Sequence, residues 1–199
     1  MAEYQVLARK YRPKQFRDVV GQEACVTTLL NTLKSKRAHH AYLFSGPRGT
    51  GKTTPARIFG KALNCEKLGA DFEPCCSCTS CLEIASGSSI DFVEIDGASH
   101  RGIDDIRTIT ESAAFRPQHG HFKIFLIDEV HMLTKEAFNA LLKTLEEPPE
   151  SMKFFFATTE PHKVPETIIS RSLRFQLKRI PLASIIKKLT SIAADMKLD

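Results

Sequence analysis

No stretch of this 199-residue chain approaches the uninterrupted apolar length that crosses a bilayer, which excludes a helical membrane span, and no membrane partner is expected. The opening residues, Met1-Ala2-Glu3-Tyr4-Gln5, lack the basic-then-apolar order of a secretion signal. A cytoplasmic location is therefore expected. Internal repeats and low-complexity tracts are also missing, so solenoid and linker-like organisations fall away. Charge is not extreme: a net +5 permits a polyanionic partner without requiring one. Basic clusters at Arg9-Lys10-Tyr11-Arg12, Lys34-Ser35-Lys36-Arg37, Lys178-Arg179 and Lys187-Lys188 are short, as solvated faces usually are. What remains is a composition able to build a core, 42% hydrophobic and 26% charged. Its length suits one domain, or one domain with a fragment of a second.

The strongest signal is Gly46-Pro47-Arg48-Gly49-Thr50-Gly51-Lys52-Thr53, which follows the apolar run Ala41-Tyr42-Leu43-Phe44. It fits the phosphate-binding P-loop without a gap. The glycines allow a tight turn that aims successive N–H groups, through Thr54, at a phosphate chain, and the next helix adds its positive end. Lys52 is placed to reach the β- and γ-phosphates, and the Thr53 hydroxyl to ligate Mg²⁺. A nucleoside triphosphate is the expected ligand.

Apolar spacing organises the rest. Val26, Leu29, Leu30 and Leu33 recur as on one helix face ahead of the first strand. A second helix is predicted over residues 52–63, directly after the P-loop. Four further strands are predicted around Phe92-Val93-Glu94-Ile95, Ile124-Phe125-Leu126-Ile127, Phe154-Phe155-Phe156-Ala157 and Leu173-Arg174-Phe175-Gln176-Leu177. Their near-continuous apolar character suits strands covered on both faces. A helix over residues 103–114 opens with Asp104 and Asp105, and another, carrying Phe138, Leu141, Leu142 and Leu145, stops at Pro148-Pro149. This alternation predicts an α/β fold with a five-stranded parallel sheet and a ligand at the strand C-terminal ends. Past Lys178, Ile185, Ile186, Leu189, Ile192, Ala193 and Met196 form a helical stripe with nothing left to pack against, which suggests a sequence that stops inside a second domain.

Ile124-Phe125-Leu126-Ile127 leads into Asp128-Glu129, the expected second half of a P-loop ATPase site. Asp128 would hold the Mg²⁺ shell and Glu129 would polarise the attacking water as general base. Cys65, Cys75, Cys78 and Cys81 have the spacing of a closed, structural Zn²⁺ site, since closely spaced C-x-x-C pairs bring thiolates to one side of a turn. Free thiols or a redox pair are the alternatives, and Cys76 could replace Cys75. Cys25 reads as an ordinary buried thiol. Thr159, ending the fourth strand, either caps it or puts a hydroxyl beside the γ-phosphate. Arg171 is a surface residue unless a neighbouring subunit brings a nucleotide to it. His39, His40 and His131 have no metal-ligand partners at useful spacing and read as structural.

Together these residues resemble the gamma/tau subunits of bacterial DNA polymerase III clamp loaders, which are AAA+ ATPases. The likeness runs through Val6-Leu7-Ala8-Arg9-Lys10-Tyr11-Arg12-Pro13, Val20-Gly21-Gln22, His39-His40-Ala41-Tyr42-Leu43-Phe44-Ser45-Gly46 and the four-cysteine insert. It continues through Asp128-Glu129-Val130-His131-Met132-Leu133 and Asn139-Ala140-Leu141-Leu142-Lys143-Thr144-Leu145-Glu146-Glu147-Pro148-Pro149. The resemblance implies an AAA+ domain over residues 1–178 with a zinc insert at about 64–82, and the beginning of a helical lid domain over 179–199. It implies ATP, Mg²⁺ and structural Zn²⁺ as cofactors, with Ala8, Arg12, Pro13, Val19 and Val20 against the base and ribose. Thr159 matches the sensor at the γ-phosphate, and Arg171 the arginine finger that acts in trans on the neighbouring subunit's ATP. The implied partners are the other subunits of a pentameric spiral, the sliding clamp it opens, and primer–template DNA followed through its phosphate backbone. Arg101 is a candidate for that DNA-facing surface.

Two residues depart from the family pattern. Pro55 stands in the first turns of the P-loop helix, where an aliphatic residue is usual. It removes a backbone donor and crowds the Gly51 carbonyl, which implies altered geometry or lower stability rather than lost binding. Ser172 replaces the usual Cys after Arg171, with little expected consequence. A hydrolytically silent scaffold subunit of the same complex is the alternative function. A helicase is a further one, suggested by Asp128-Glu129-Val130-His131 but opposed by the lack of a second motor domain.

Overall fold

The computed structural model describes residues 6–112 and 115–196. Five parallel strands form one sheet in the order β2-β3-β4-β1-β5, with β1 at Ala41–Ser45, β2 at Phe92–Asp96, β3 at Lys123–Asp128, β4 at Met152–Thr158 and β5 at Leu173–Gln176. The helices are α1 (Leu7–Lys10), α2 (Glu23–Ser35), α3 (Thr53–Leu63), α4 (Thr79–Ser86), α5 (Ile103–Ser112), α6 (Lys135–Glu146), α7 (Glu166–Ile169) and α8 (Leu182–Asp195). Residues 113 and 114, in the run predicted to continue α5, lie outside the described residues, as do 1–5 and 197–199. Among the described residues no helix is long and apolar enough to cross a membrane.

Successive strand side chains point to opposite faces, so an apolar run feeds two cores at once. Leu43, Phe125, Ile127, Phe154 and Phe156 pack with Ile106 of α5, Leu141 of α6 and Ile168 of α7. Tyr42, Phe44, Leu126 and Phe155 pack with Leu29 of α2 and Ile58 and Phe59 of α3. Every residue of β1 and β4 is buried, in keeping with central strands covered on both faces. The edge strands are not: only Phe175 of β5 is buried, and Leu173 is 38% exposed.

Helix ends follow local chemistry. Thr134 caps α6 by accepting the Ala137 N–H at 3.2 Å, and Pro148-Pro149 follows the helix. The predicted 52–63 helix begins one residue later, at Thr53, with Lys52 as its cap. Pro55 therefore sits in the first turn, where a backbone N–H has no intrahelical acceptor, and Thr54 N donates to Gly51 O at 3.0 Å beside it. The helix forms around the proline without losing an internal hydrogen bond.

Candidate nucleotide site

The loop after β1 turns between two strand ends. Gly46 N donates to Thr158 O of β4 at 3.2 Å, and Leu177 N to Ser45 O at 2.7 Å. Leu177 passes so close that a Cβ at Gly46 would stand 2.5 Å from its carbonyl oxygen, with φ at +155°. Only glycine fits this position. Thr50 closes the loop through its hydroxyl, 2.9 Å from the Pro47 carbonyl. Lys52 is buried, with Nζ 3.4 Å from the same carbonyl, so the ammonium lies within the curl of the loop. Thr53 and Thr54 open α3 at its positive end, while Arg48 and Gly49 are exposed at the tip.

Parallel register brings the C-terminal end of β3 to the same edge of the sheet. Burial raises the Asp128 pKa above the usual carboxylate value, opposed by the Glu129 N–H; the Glu129 charge adds to the rise and the Lys52 charge opposes it. Glu129 occupies the left-handed region, with φ at +46°, a strained conformation for a residue with a side chain. In this conformation its carboxylate meets the residue that follows β4. Glu129 Oε2 accepts from Thr159 Oγ1 at 2.9 Å and from Thr159 N at 3.1 Å. The sequence brings Thr159 and Glu129 into play separately; the fold joins them on one oxygen.

His131 binds the same group. Its side chain is 6% exposed, with Nδ1 3.0 Å from Thr158 Oγ1 and 3.4 Å from Glu129 Oε2, and Nε2 3.1 Å from Glu160 Oε2. The sequence reading as a structural histidine misses these carboxylates, because no fixed spacing links the end of one strand to the end of its neighbour.

An apolar cavity of about 410 Å³ adjoins the loop. Ala8, Pro13, Val19 and Val20 line it together with Thr50, Gly51 and Thr54, and α8 closes it with Leu189 and Ile192. Arg12 lies instead on a neighbouring basic cleft of about 350 Å³, with Lys10, Arg57 and Lys61. Gln22 fastens the cavity wall to the chain after β5: Nε2 donates to Lys178 O at 2.7 Å and Oε1 accepts Lys178 N at 3.2 Å.

The cysteine side chains of Cys65, Cys75, Cys78 and Cys81 converge, their sulfurs all within 4.8 Å of one another. Three are buried and Cys75 is partly so. Burial pushes the Cys81 and Cys65 thiols up. Burial also raises Cys75, but N–H groups of Ser77 and Cys78 outweigh it and bring that thiol down to about 6. Four converging sulfurs, one easily ionised, fit a tetrahedral soft-metal site. Cys76 turns away, its φ at +57° and its Sγ 3.5 Å from the Lys14 carbonyl, so it does not replace Cys75.

Arg171 stands apart from all of this. It precedes β5, at the N-terminal end of the sheet, with Leu173 in register with Tyr42. Its guanidinium donates to Glu146 Oε1 at 2.9 Å and to Thr167 O at 3.0 Å. Arg101 is exposed after β2, its Nε donating to Ala98 O at 2.7 Å.

This sheet, loop and acidic strand end define a nucleotide-binding domain of the AAA+ type. A family model described as "DNA polymerase III, delta subunit" matches residues 21–181, and the chain belongs to that family of DNA polymerase III subunits. It is 56% identical over 189 residues to the DNA polymerase III subunit tau of Bacillus subtilis, covering 95% of this chain and 33% of the relative. It is 53% identical over 189 residues to the tau subunit of Escherichia coli, covering 95% of this chain and 29% of that protein. The chain thus spans about a third of the length of these two curated relatives. Among solved structures, a DNA polymerase III gamma subunit-related protein of Thermotoga maritima is similar at TM-score 0.54 and 25% identity, over 79% of this chain and 46% of that one. The RuvB Holliday junction branch migration motor of the same organism shares the fold at TM-score 0.65 and 20% identity, over 95% of this chain and 56% of its own.

Proposed function

We propose that the chain is the ATP-binding and ATP-hydrolysing part of a clamp-loader subunit, which uses ATP to open a sliding clamp and load it on primer–template DNA. The observation that carries this reading is the contact of Glu129 with Thr159 beside Asp128 and the P-loop. It gathers a base and a cation-holding carboxylate at the end of β3 with a polar sensor at the end of β4, next to the loop after β1.

In this reading the loop amides from Gly46 to Thr54 and the Lys52 ammonium hold the phosphates, and Ala8, Pro13, Val19 and Val20 enclose the base. Thr53 and Asp128 hold Mg²⁺, which supplies charge neutralisation at the transferred phosphoryl group. Glu129 takes a proton from the attacking water, with Thr159 orienting its carboxylate. Arg171, at the opposite end of the strands from its own P-loop, serves a neighbouring subunit's nucleotide in trans, so that hydrolysis depends on assembly. Residues 1–178 form the AAA+ domain and 179–199 the start of a lid. Structural Zn²⁺ is held by the four cysteines. The partners are the other subunits of a pentamer, the clamp, and the DNA phosphate backbone, in the cytoplasm. The silent-scaffold alternative has no support from Pro55, which leaves the helix and the loop amides in place.

The test is ATP hydrolysis by the full-length subunit assembled with its partners, with and without clamp and primed DNA. Strong stimulation by both is expected. Bound ATP with no turnover in either condition would overturn the reading in favour of the scaffold.

A further inference from the structure

The cysteine insert grips the segment that walls the apolar cavity. Glu73, two residues before Cys75, is 7% exposed and directs its carboxylate to the segment after Pro13. Oε2 accepts the Phe16 N–H at 2.7 Å and Oε1 the Arg17 N–H at 2.8 Å. These amides open a single 3-10 turn, Phe16–Asp18, and would otherwise lack partners. Gln15 Nε2 donates to the Pro74 carbonyl at 3.0 Å, and the Lys14 carbonyl receives both Cys76 Sγ and the Lys61 ammonium of α3. Three neighbouring positions of the insert, 73, 74 and 76, thereby hold four consecutive residues, 14–17. That segment lies between Pro13 and Val19, both on the cavity wall.

The grip depends on a strained turn. Phe72 and Cys76 flank Glu73 and Pro74 with φ of +61° and +57°, a conformation that costs roughly a kcal/mol at each such residue. A turn of that kind persists only where its surroundings fix it: Glu73 N donates to Asp71 Oδ1 at 3.2 Å and Glu73 O accepts from Gly69 N at 3.0 Å, and two cysteines of the cluster hold its chain, Cys65 before it and Cys75 within it. A metal joining those sulfurs would hold the turn, and with it the direction of the Glu73 carboxylate.

We propose that Glu73 is a positioning residue for the base-binding wall, and that metal held by the cysteine cluster sets affinity for the nucleoside part of the nucleotide through it. This rests on the nucleotide-binding reading above. Phosphate recognition is a separate matter, since the loop from Gly46 to Lys52 makes its own contacts with β4 and the chain after β5. Loss of the Glu73 bonds leaves the wall correctly placed only part of the time, and apparent affinity falls by that fraction. Two charge-assisted hydrogen bonds are at stake, so a loss of at least about tenfold is expected.

The experiment uses the full-length protein and compares ATP with inorganic triphosphate, the latter lacking a base. Glu73→Ala and chelator-stripped wild type should bind ATP at least about tenfold more weakly, with triphosphate binding unchanged. Added Zn²⁺ should restore the stripped protein but not Glu73→Ala, and Glu73→Gln should fall between. Hydrogen exchange at the Phe16 and Arg17 amides should quicken in step with the loss of ATP affinity. Unchanged ATP affinity despite rapid exchange at those amides would overturn the proposal. So would equal losses for ATP and triphosphate, including loss through general unfolding. Wild type that binds neither ligand would instead sink the nucleotide reading itself, and this inference with it.

Discussion

Replacing Thr159 by valine keeps its shape and removes one hydroxyl, and the consequence follows from the bonds to Glu129. Glu129 Oε2 receives the Thr159 hydroxyl at 2.9 Å and the Thr159 N–H at 3.1 Å, and the valine variant retains only the second. A hydrogen bond to a charged group contributes about 1.5–3 kcal/mol. If that bond holds the carboxylate where it polarises water, its loss raises the barrier by a similar amount, and kcat falls roughly ten- to a hundredfold. Nucleotide affinity should barely change, because Lys52 and the loop amides are untouched. Thr159→Ser should retain most of the rate, since it keeps the hydroxyl. Single-turnover hydrolysis with saturating ATP, alongside equilibrium ATP binding, separates the two quantities. An unchanged rate in the valine variant would refute the positioning argument. A higher rate would refute it differently, by showing that the contact holds Glu129 away from the water.

Three further outcomes follow from the geometry. Gly46→Ala places a Cβ 2.5 Å from the Leu177 carbonyl oxygen at a φ that disfavours side chains; about 1–3 kcal/mol of stability should be lost to backbone strain alone, with ATP affinity falling as well, measured by urea denaturation and calorimetry. Burial raises the Asp128 pKa, so its contribution to stability is full while it is protonated and is lost as pH rises through the raised folded value; Asp128→Asn should increase the melting temperature without nucleotide at neutral pH, with the gain vanishing toward about pH 4. Asp91 is the opposite case: burial raises its pKa, but N–H groups of His119, Gln118 and Gly120 overcome this and lower it, so its contribution is present above the ordinary value and lost as pH falls through the folded one. Asp91→Asn should therefore cost about 2 kcal/mol at neutral pH and remove part of the acid sensitivity, read from urea midpoints across pH.

Strands and P-loop were legible because buried parallel strands are apolar throughout and the phosphate-binding turn is contiguous. Their limits were harder to read. β4 begins at Met152 and takes in Lys153, a buried lysine whose ammonium reaches the Glu150 carbonyl at 3.2 Å and lies 4.8 Å from the Phe122 ring centre. Nothing in local spacing distinguishes such a lysine from a solvated one. The exposure of β5 depends on its place at the sheet edge, which strand order decides and sequence order does not. In the site, Lys52, Thr53, Asp128 and Glu129 could be picked out by adjacency to a strand. Glu73, Gln22, His131 and Glu160 act across distant parts of the chain, where no periodicity marks them. The convergence of the four sulfurs follows from short cysteine spacings, whereas the outward turn of Cys76 depends on a backbone conformation that composition does not reveal.

Strand order also carries a consequence for synthesis. β1 pairs with β4 and β5, both made well after it, so the edges of Ala41–Ser45 stay unsatisfied until those strands are translated. The loop that follows it needs Thr158 and Leu177 to complete its frame. A nascent chain would thus carry the whole phosphate-binding sequence long before it could grasp a nucleotide. Until residue 177 leaves the ribosome, β1 is an exposed, apolar stretch in need of chaperone cover.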